Sequence, residues 1–245
     1  MASTTPRPGA PIWMDLGTPD HDASAAFYGA LLGWTVTAPD EEFGGYAEFL
    51  LDGRRVAGLG PLMAPEQSPS WTCYLCTADA DRSAALVEQG GGSTLVPPMA
   101  ISDLGGMAVF SDPAGHPFGM WQPGTHTGWQ VAGKDGAHGW FELSTATPSS
   151  APDFYGAVLG WQAKSSDAYV EFTQSGDSVA GCCDTSQGTS GWLPYFRVAD
   201  PAAEAEQAQS LGGSVVLPLT HFDGGSCTIV RDPHGAVLGL MHAGG

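Results

Sequence analysis

The side chains able to do chemistry are few, and most of them are acidic. Cys73 and Cys76 form a C-x-x-C, a spacing that suits zinc or redox chemistry. On a strand, however, residues three apart point to opposite faces, no second pair stands at metal spacing, and Cys182 and Cys183 are adjacent. All five cysteines therefore read as small buried hydrophobes. Of the 7 histidines, His116 and His234 fall in or beside Asp-Pro-x-Gly turns and are expected to be exposed. His242, near the end of the last strand, and His221, placed in a Gly-rich loop, are the better candidates for general acid or base work. Glu48 and Glu171 recur in two Tyr-x-Glu-Phe segments. They are either inward carboxylates of a hard-oxygen cation site or the solvent-facing members of an alternating strand. No Ser/His/Asp elbow, phosphate loop or nucleotide fingerprint is present, and Gly90-Gly91-Gly92 ends a helix rather than opening one.

The elements that position these residues come from a tandem duplication. Phe27-Tyr28-Gly29-Ala30-Leu31-Leu32-Gly33-Trp34 returns as Phe154-Tyr155-Gly156-Ala157-Val158-Leu159-Gly160-Trp161. Trp13, Asp15 and Leu16 return as Trp140, Glu142 and Leu143; Val56-Ala-Gly58 as Val179-Ala-Gly181; Trp71 and Tyr74 as Trp192 and Tyr195; and Asp112-Pro-x-Gly115 as Asp232-Pro-x-Gly235. Asp20 caps a helix whose apolar face is expected to be Ala23, Ala26, Phe27, Ala30 and Leu31; the repeat uses Ala151, Phe154, Tyr155, Val158 and Leu159. Gly33 and Gly160 stop these helices, and a second helix in each half starts near Asp79 and Asp200. Short alternating segments such as Tyr46–Leu51, Trp71–Thr77, Met107–Ser111 and Phe118–Trp121 read as strands. The expectation is an α+β fold of four βαβββ modules at about 10–62, 69–123, 138–184 and 191–242, with 124–137 as a polar linker.

Composition bounds the function. Asp+Glu 26 against Lys+Arg 8 gives a formal charge of −18, which excludes a phosphate-tracking nucleic-acid binder. Gly 35 and Pro 19 argue against a helical bundle, and hydrophobic residues at 42% supply enough core to exclude disorder as the main state. No apolar leader region is visible in Met1–Pro11, and no stretch approaches the ~18 apolar residues of a membrane span, so a soluble cytoplasmic protein is expected.

The Phe-Tyr, Leu-Gly-Trp and Asp-Pro-x-Gly combination, met twice in order between about Ala10 and His242, resembles the vicinal oxygen chelate superfamily of glyoxalases, bleomycin resistance proteins and extradiol dioxygenases. More narrowly, the tandem arrangement is similar to two-domain actinobacterial glyoxalase-like proteins. The resemblance implies two glyoxalase-like domains, at 10–123 and 138–242, whose paired modules curl mixed sheets around clefts. It also implies a divalent metal on a His or Gln of the first strand, a His of the second module and a Glu of the last strand. Those positions hold Trp13 and Trp140, Thr72 and Leu193, and Gly119 and Gly239. No cofactor is therefore expected, although a divalent metal on other residues stays open.

Strand alternation then places Trp13, Asp15, Thr72, Tyr74 and Trp121 on the lost ligands' face in the first half, and Trp140, Glu142, Leu193, Tyr195 and Met241 in the second. Aromatic walls with one carboxylate suit a flat aromatic or cationic small molecule. Two functions stay open, with a third option that one half has kept a site and the other is its packing partner. One is a metal-free binder of an aromatic natural product, serving resistance or biosynthesis. The other is an enzyme of the lyase, isomerase, cyclase or oxygenase kind that tailors a polyketide-like substrate, with Asp15, Glu142 or His242 as acid or base. The chain is expected to be a monomer or homodimer, and module pairing is left open.

Overall fold

A computed structural model describes residues 6–64, 66–166 and 169–243. In the first half β1 (Pro11–Thr18) leads to α1 (His21–Leu32), β2 (Thr35–Val36), β3 (Ala47–Leu51) and β4 (Arg54–Pro61). Then come β5 (Ser70–Cys76), α2 (Ala80–Gln89), β6 (Ser93–Ile101), β7 (Gly105–Ser111) and β8 (Pro117–Pro123). The second half repeats the order: β9 (His138–Ser144), α3 (Ala151–Leu159), β10 (Gln162–Ser165), β11 (Tyr169–Gln174), β12 (Asp177–Cys183), β13 (Gly191–Arg197), α4 (Pro201–Ser210), β14 (Ser214–Phe222), β15 (Gly225–Arg231) and β16 (Val237–Ala243). The strands order as β2-β3-β4-β1-β5-β8-β7-β6 and β10-β11-β12-β9-β13-β16-β15-β14, two mixed eight-stranded sheets.

Local chemistry explains the element ends. Asp20, Asp79 and Asp200 sit extended, and their carboxylates accept the backbone N–H groups of Ala23, Arg82 and Ala202, satisfying donors that a helix start leaves open. Gly33 at φ 71° and Gly160 at φ 72° close α1 and α3 in the left-handed region that a side chain would strain.

Packing divides the chain into two compact units that exchange modules between the halves. One unit gathers residues up to Trp13, Cys73–Gly128 and Phe141–Trp192; the other gathers Met14–Thr72, Trp129–Trp140 and Leu193–Gly245. Each is held by the same buried triad. In one, the Tyr28 hydroxyl donates to Asp232 Oδ2 at 2.9 Å and accepts from Trp71 Nε1 at 3.1 Å. In the other, the Tyr155 hydroxyl donates to Asp112 Oδ2 at 3.0 Å and accepts from Trp192 Nε1 at 2.8 Å. The Asp-Pro-x-Gly aspartate is thus more than a turn residue. Asp232 Oδ1 takes the N–H groups of His234, Gly235 and Ala236, while Oδ2 takes the tyrosine of another module.

That triad corrects the expected face of α1. Its buried residues are Ser24, Phe27, Tyr28, Leu31 and Leu32, whereas Ala23, Ala26 and Ala30 face solvent. Ser24 can be buried because its Oγ lies 2.8 Å from Thr18 Oγ1, and Tyr28 because Asp232 and Trp71 satisfy its hydroxyl. The α3 face matches the periodicity: Ala151, Phe154, Tyr155, Val158 and Leu159 are all buried.

The expected linker has no regular secondary structure but packs closely, with His126, Val131 and Ala137 buried. Its last residues also extend the repeat. Trp34 Nε1 donates to the Gly136 carbonyl at 2.8 Å, and Trp161 Nε1 donates to that of Gly9 at 2.9 Å. Lys134 pairs with Asp52 as Arg7 pairs with Asp177.

Candidate functional site

The expected first-half site divides by unit. In one unit Tyr74 stands in register with Gly119, and its ring lies across that glycine so closely that a Cβ there would collide with it. Trp13, 4% exposed, and Trp121, 9% exposed, are bridged by His126. The imidazole meets the two indoles edge-on, with centroids 4.6 and 5.4 Å apart, and Trp121 Nε1 donates to the His126 carbonyl at 2.8 Å. In the other unit Asp15 pairs in register with Gly58, whose missing side chain leaves room for the Tyr46 phenol. Tyr46 Oη lies 3.5 Å from Asp15 Oδ2. Thr72, in the same unit, is half-buried on β5.

The second half repeats this arrangement with different contents. Tyr195 stands in register with Gly239 and covers it as Tyr74 covers Gly119. Leu193, Tyr195 and Ile229 form a buried cluster against which Trp140, Val216, Leu217, Cys227 and Met241 pack while keeping part of their surface in solvent. In the other unit Glu142 accepts the Tyr169 hydroxyl on Oε2 at 2.8 Å and the Cys183 thiol on Oε1 at 3.5 Å. Burial first, and then the Glu142 charge, pushes that thiol up to about 12, so it stays protonated and unreactive at neutral pH.

The other candidates are engaged more ordinarily. Glu48 lies 3.5 Å from Arg55; Glu171 lies 3.6 Å from Lys164 and also accepts from Ser178. His242 is exposed on β16, on the opposite strand face from Met241, with Nδ1 3.3 Å from the Val198 carbonyl. His221 belongs to β14 rather than to a loop, and is exposed. The turn histidines are not as exposed as expected. The His116 side chain is 11% exposed because Asp112 holds its Nδ1 at 3.2 Å, and His234 buries its Nε2. Four cysteines are buried; Cys227 is only partly so.

Three groups escaped the sequence reading. Tyr46 and Tyr169 recur with Glu48 and Glu171, so the repeat carried a signal, but only the structure pairs them with Asp15 and Glu142. His126 has no counterpart to draw attention to it. Arg197 continues the alternation of Leu193 and Tyr195 and so shares their face of β13; a charge at a strand end reads as ordinary solvation until its surroundings are known.

The donor set does not fit the metal implied by the resemblance. Tyrosine rings cover the two glycines that replace the last-strand glutamate, and no group of three or more His, Cys, Asp or Glu able to hold an ion exists among the described residues. What remains is aromatic side chains and, separately, phenol-carboxylate pairs.

Comparisons place this geometry among known proteins. The profile of a glyoxalase-like domain matches residues 12–120. The anthracycline biosynthesis protein DnrV of Streptomyces peucetius is 39% identical over 96% of this chain and 93% of its own length. CFP32 of Mycobacterium bovis, named as a glyoxylase, is 33% identical over 96% of this chain and 95% of its own. Among solved structures, the Mn(II)-bound glyoxalase from Novosphingobium aromaticivorans superposes with a TM-score of 0.67 at 17% identity, covering 96% of this chain and 82% of that one. The 2,3-dioxygenase LapB from Pseudomonas sp. KL28 gives 0.67 at 13% identity, covering 99% and 94%.

Proposed function

Because the chain belongs to the glyoxalase-like family of the vicinal oxygen chelate superfamily, we propose that it binds a planar aromatic natural product as an accessory of that product's biosynthesis or resistance. Each half, 10–123 and 138–242, is read as one glyoxalase-like domain. The observation that carries the reading is the replacement of metal ligands by aromatic side chains: Tyr74 over Gly119 and Tyr195 over Gly239, with Trp140 packed against the Tyr195 cluster and Trp13 and Trp121 gathered around His126 in the first half. Rings of this kind recognise a flat π-system by stacking and edge contacts, and need no metal to do so. The likeness to DnrV supports an aromatic polyketide as the ligand class.

A catalytic role is favoured by one further observation. Tyr169 donates to Glu142 at 2.8 Å, an arrangement in which the carboxylate can take a proton and the phenol can return one during enolisation or cyclisation of a polyketide-like substrate. Asp15 and Tyr46 form the looser counterpart at 3.5 Å. Two measurements separate the readings. Planar aromatic polyketides should quench the tryptophan fluorescence, and Trp13→Ala or Trp140→Ala should reduce that quenching; unchanged quenching in both variants would sink the binding reading. If the protein also catalyses, Glu142→Gln should abolish turnover while leaving the quenching in place.

A further inference from the structure

The two halves offer unequal surfaces to a ligand. In the first half Trp13, Tyr74, Trp121 and His126 are 4, 6, 9 and 7% exposed, so the protein fills that cluster with its own rings. In the second half Trp140, Leu217, Cys227 and Met241 retain accessible apolar surface around the buried Leu193–Tyr195–Ile229 cluster. The halves differ in charge too. The repeat that aligns Trp71 with Trp192 and Tyr74 with Tyr195 aligns Cys76 with Arg197. Cys76 is 2% exposed and bonds the Pro6 carbonyl at 3.4 Å. Burial raises its thiol to about 11, so this position carries no charge at neutral pH in the first half. In the second half it carries a guanidinium.

Arg197 is held as a ligand-binding cation would be. It stands in register with Met241, and its stem passes Gly139, where a Cβ would come within 3.2 Å of Arg197 Cγ and 2.7 Å of Met241 Sδ. Nη2 donates to the Ala243 carbonyl at 3.3 Å, while the buried Nε has no acceptor and the guanidinium makes no ion pair among the described residues. The residue as a whole is only half-buried, so its guanidinium keeps donors with which an incoming anionic oxygen can pair.

Resting on the aromatic-ligand reading above, we propose that the second half alone holds the ligand, and that the ligand is an aromatic acid. Its ring lies on Trp140, Leu217 and Met241, and its carboxylate or acidic phenol oxygen takes the free donors of Arg197. The first half is a structural counterpart closed by His126. In a chain with a net charge of −18, an anion is drawn only where a cation has been placed for it, and Arg197 is one of just 8 lysines and arginines.

The test titrates the full chain with naphthoate and with naphthylmethylammonium, which share a ring system and differ in charge. Naphthoate should bind with one molecule per chain, quench through Trp140 and be unaffected by Trp13→Phe. Arg197→Gln should weaken it about tenfold or more, Arg197→Lys should weaken it less, and neither change should strengthen it. Both variants are compared by circular dichroism, so that a folding defect in one is caught by the other. Naphthoate affinity indifferent to Arg197, two molecules per chain, or tighter binding of the ammonium would overturn the assignment while leaving aromatic binding intact. Failure of both probes to bind would overturn the aromatic-ligand reading itself.

Discussion

Removing the single hydroxyl oxygen of Tyr28 tests the logic that joins the modules. Tyr28→Phe keeps the ring among Trp34, Phe49 and Trp71, whose centroids lie 5.9, 5.6 and 5.3 Å away, and creates no appreciable cavity. It deletes the 2.9 Å bond to the Asp232 carboxylate and strips Trp71 Nε1 of the acceptor it has at 3.1 Å. A hydrogen bond to a charged group contributes about 1.5–3 kcal/mol, and an orphaned buried donor costs about 1–3 kcal/mol. Asp232 keeps three backbone donors on Oδ1, which limits the damage on its side. The expected loss is about 3 kcal/mol. For a chain of this length that lowers the melting temperature by roughly 6–12 °C, at about 2–4 °C per kcal/mol. Tyr46→Phe is the control: its phenol lies 3.5 Å from a half-buried carboxylate and should cost under about 1 kcal/mol. Thermal and urea unfolding of the three proteins decides the matter. A Tyr28→Phe loss below about 0.5 kcal/mol, or one equal to that of Tyr46→Phe, would refute the buried triad as the tie between modules.

Two more outcomes follow from the same features. Gly119→Ala or Gly239→Ala places a methyl into the ring of Tyr74 or Tyr195 and should cost about 1–3 kcal/mol by overpacking, read by urea midpoint, with the near-ultraviolet aromatic signal altered. Burial first, and then Asp232 and Asp112, raise the Tyr28 and Tyr155 hydroxyls well above 10.0. Their contribution is therefore complete below the unfolded value near 10 and is lost as the unfolded chain ionises above it. Each should steepen the alkaline decline in stability by about 1.4 kcal/mol per pH unit, and the Tyr28→Phe/Tyr155→Phe double variant should decline correspondingly less steeply.

The duplicated motifs made the fold legible, because helix caps, glycine stops and the Asp-Pro-x-Gly turns are set by neighbours in sequence. What they could not convey is where a hydroxyl finds its partner. Tyr28 is absent from the α1 face that periodicity predicts, since Asp232 lies in another module and becomes its acceptor only through the exchange of modules. The equivalence of Gly9 and Gly136 was hidden for a different reason: the contact is a backbone carbonyl receiving an indole N–H, and a carbonyl leaves no trace in residue type. In the candidate site the aromatic sets were visible from alternation, but the filling of one by His126 and the orientation of Arg197 depend on packing that a one-dimensional pattern does not record.

The exchange of modules also sets an order of assembly on the ribosome. The unit that contains Asp112 and Tyr155 has all of its strands and its triad once Trp192 has been made. The unit that contains Tyr28 begins almost at the start of the chain, yet it must wait for Asp232 before its tyrosine has an acceptor. The part translated first is therefore finished last. Through most of synthesis the Tyr28 hydroxyl lacks its acceptor and the rings of Trp34 and Trp71 lack Phe196, and that interval is the point in the protein's life at which a chaperone, or a second nascent copy, would find an aromatic surface to hold.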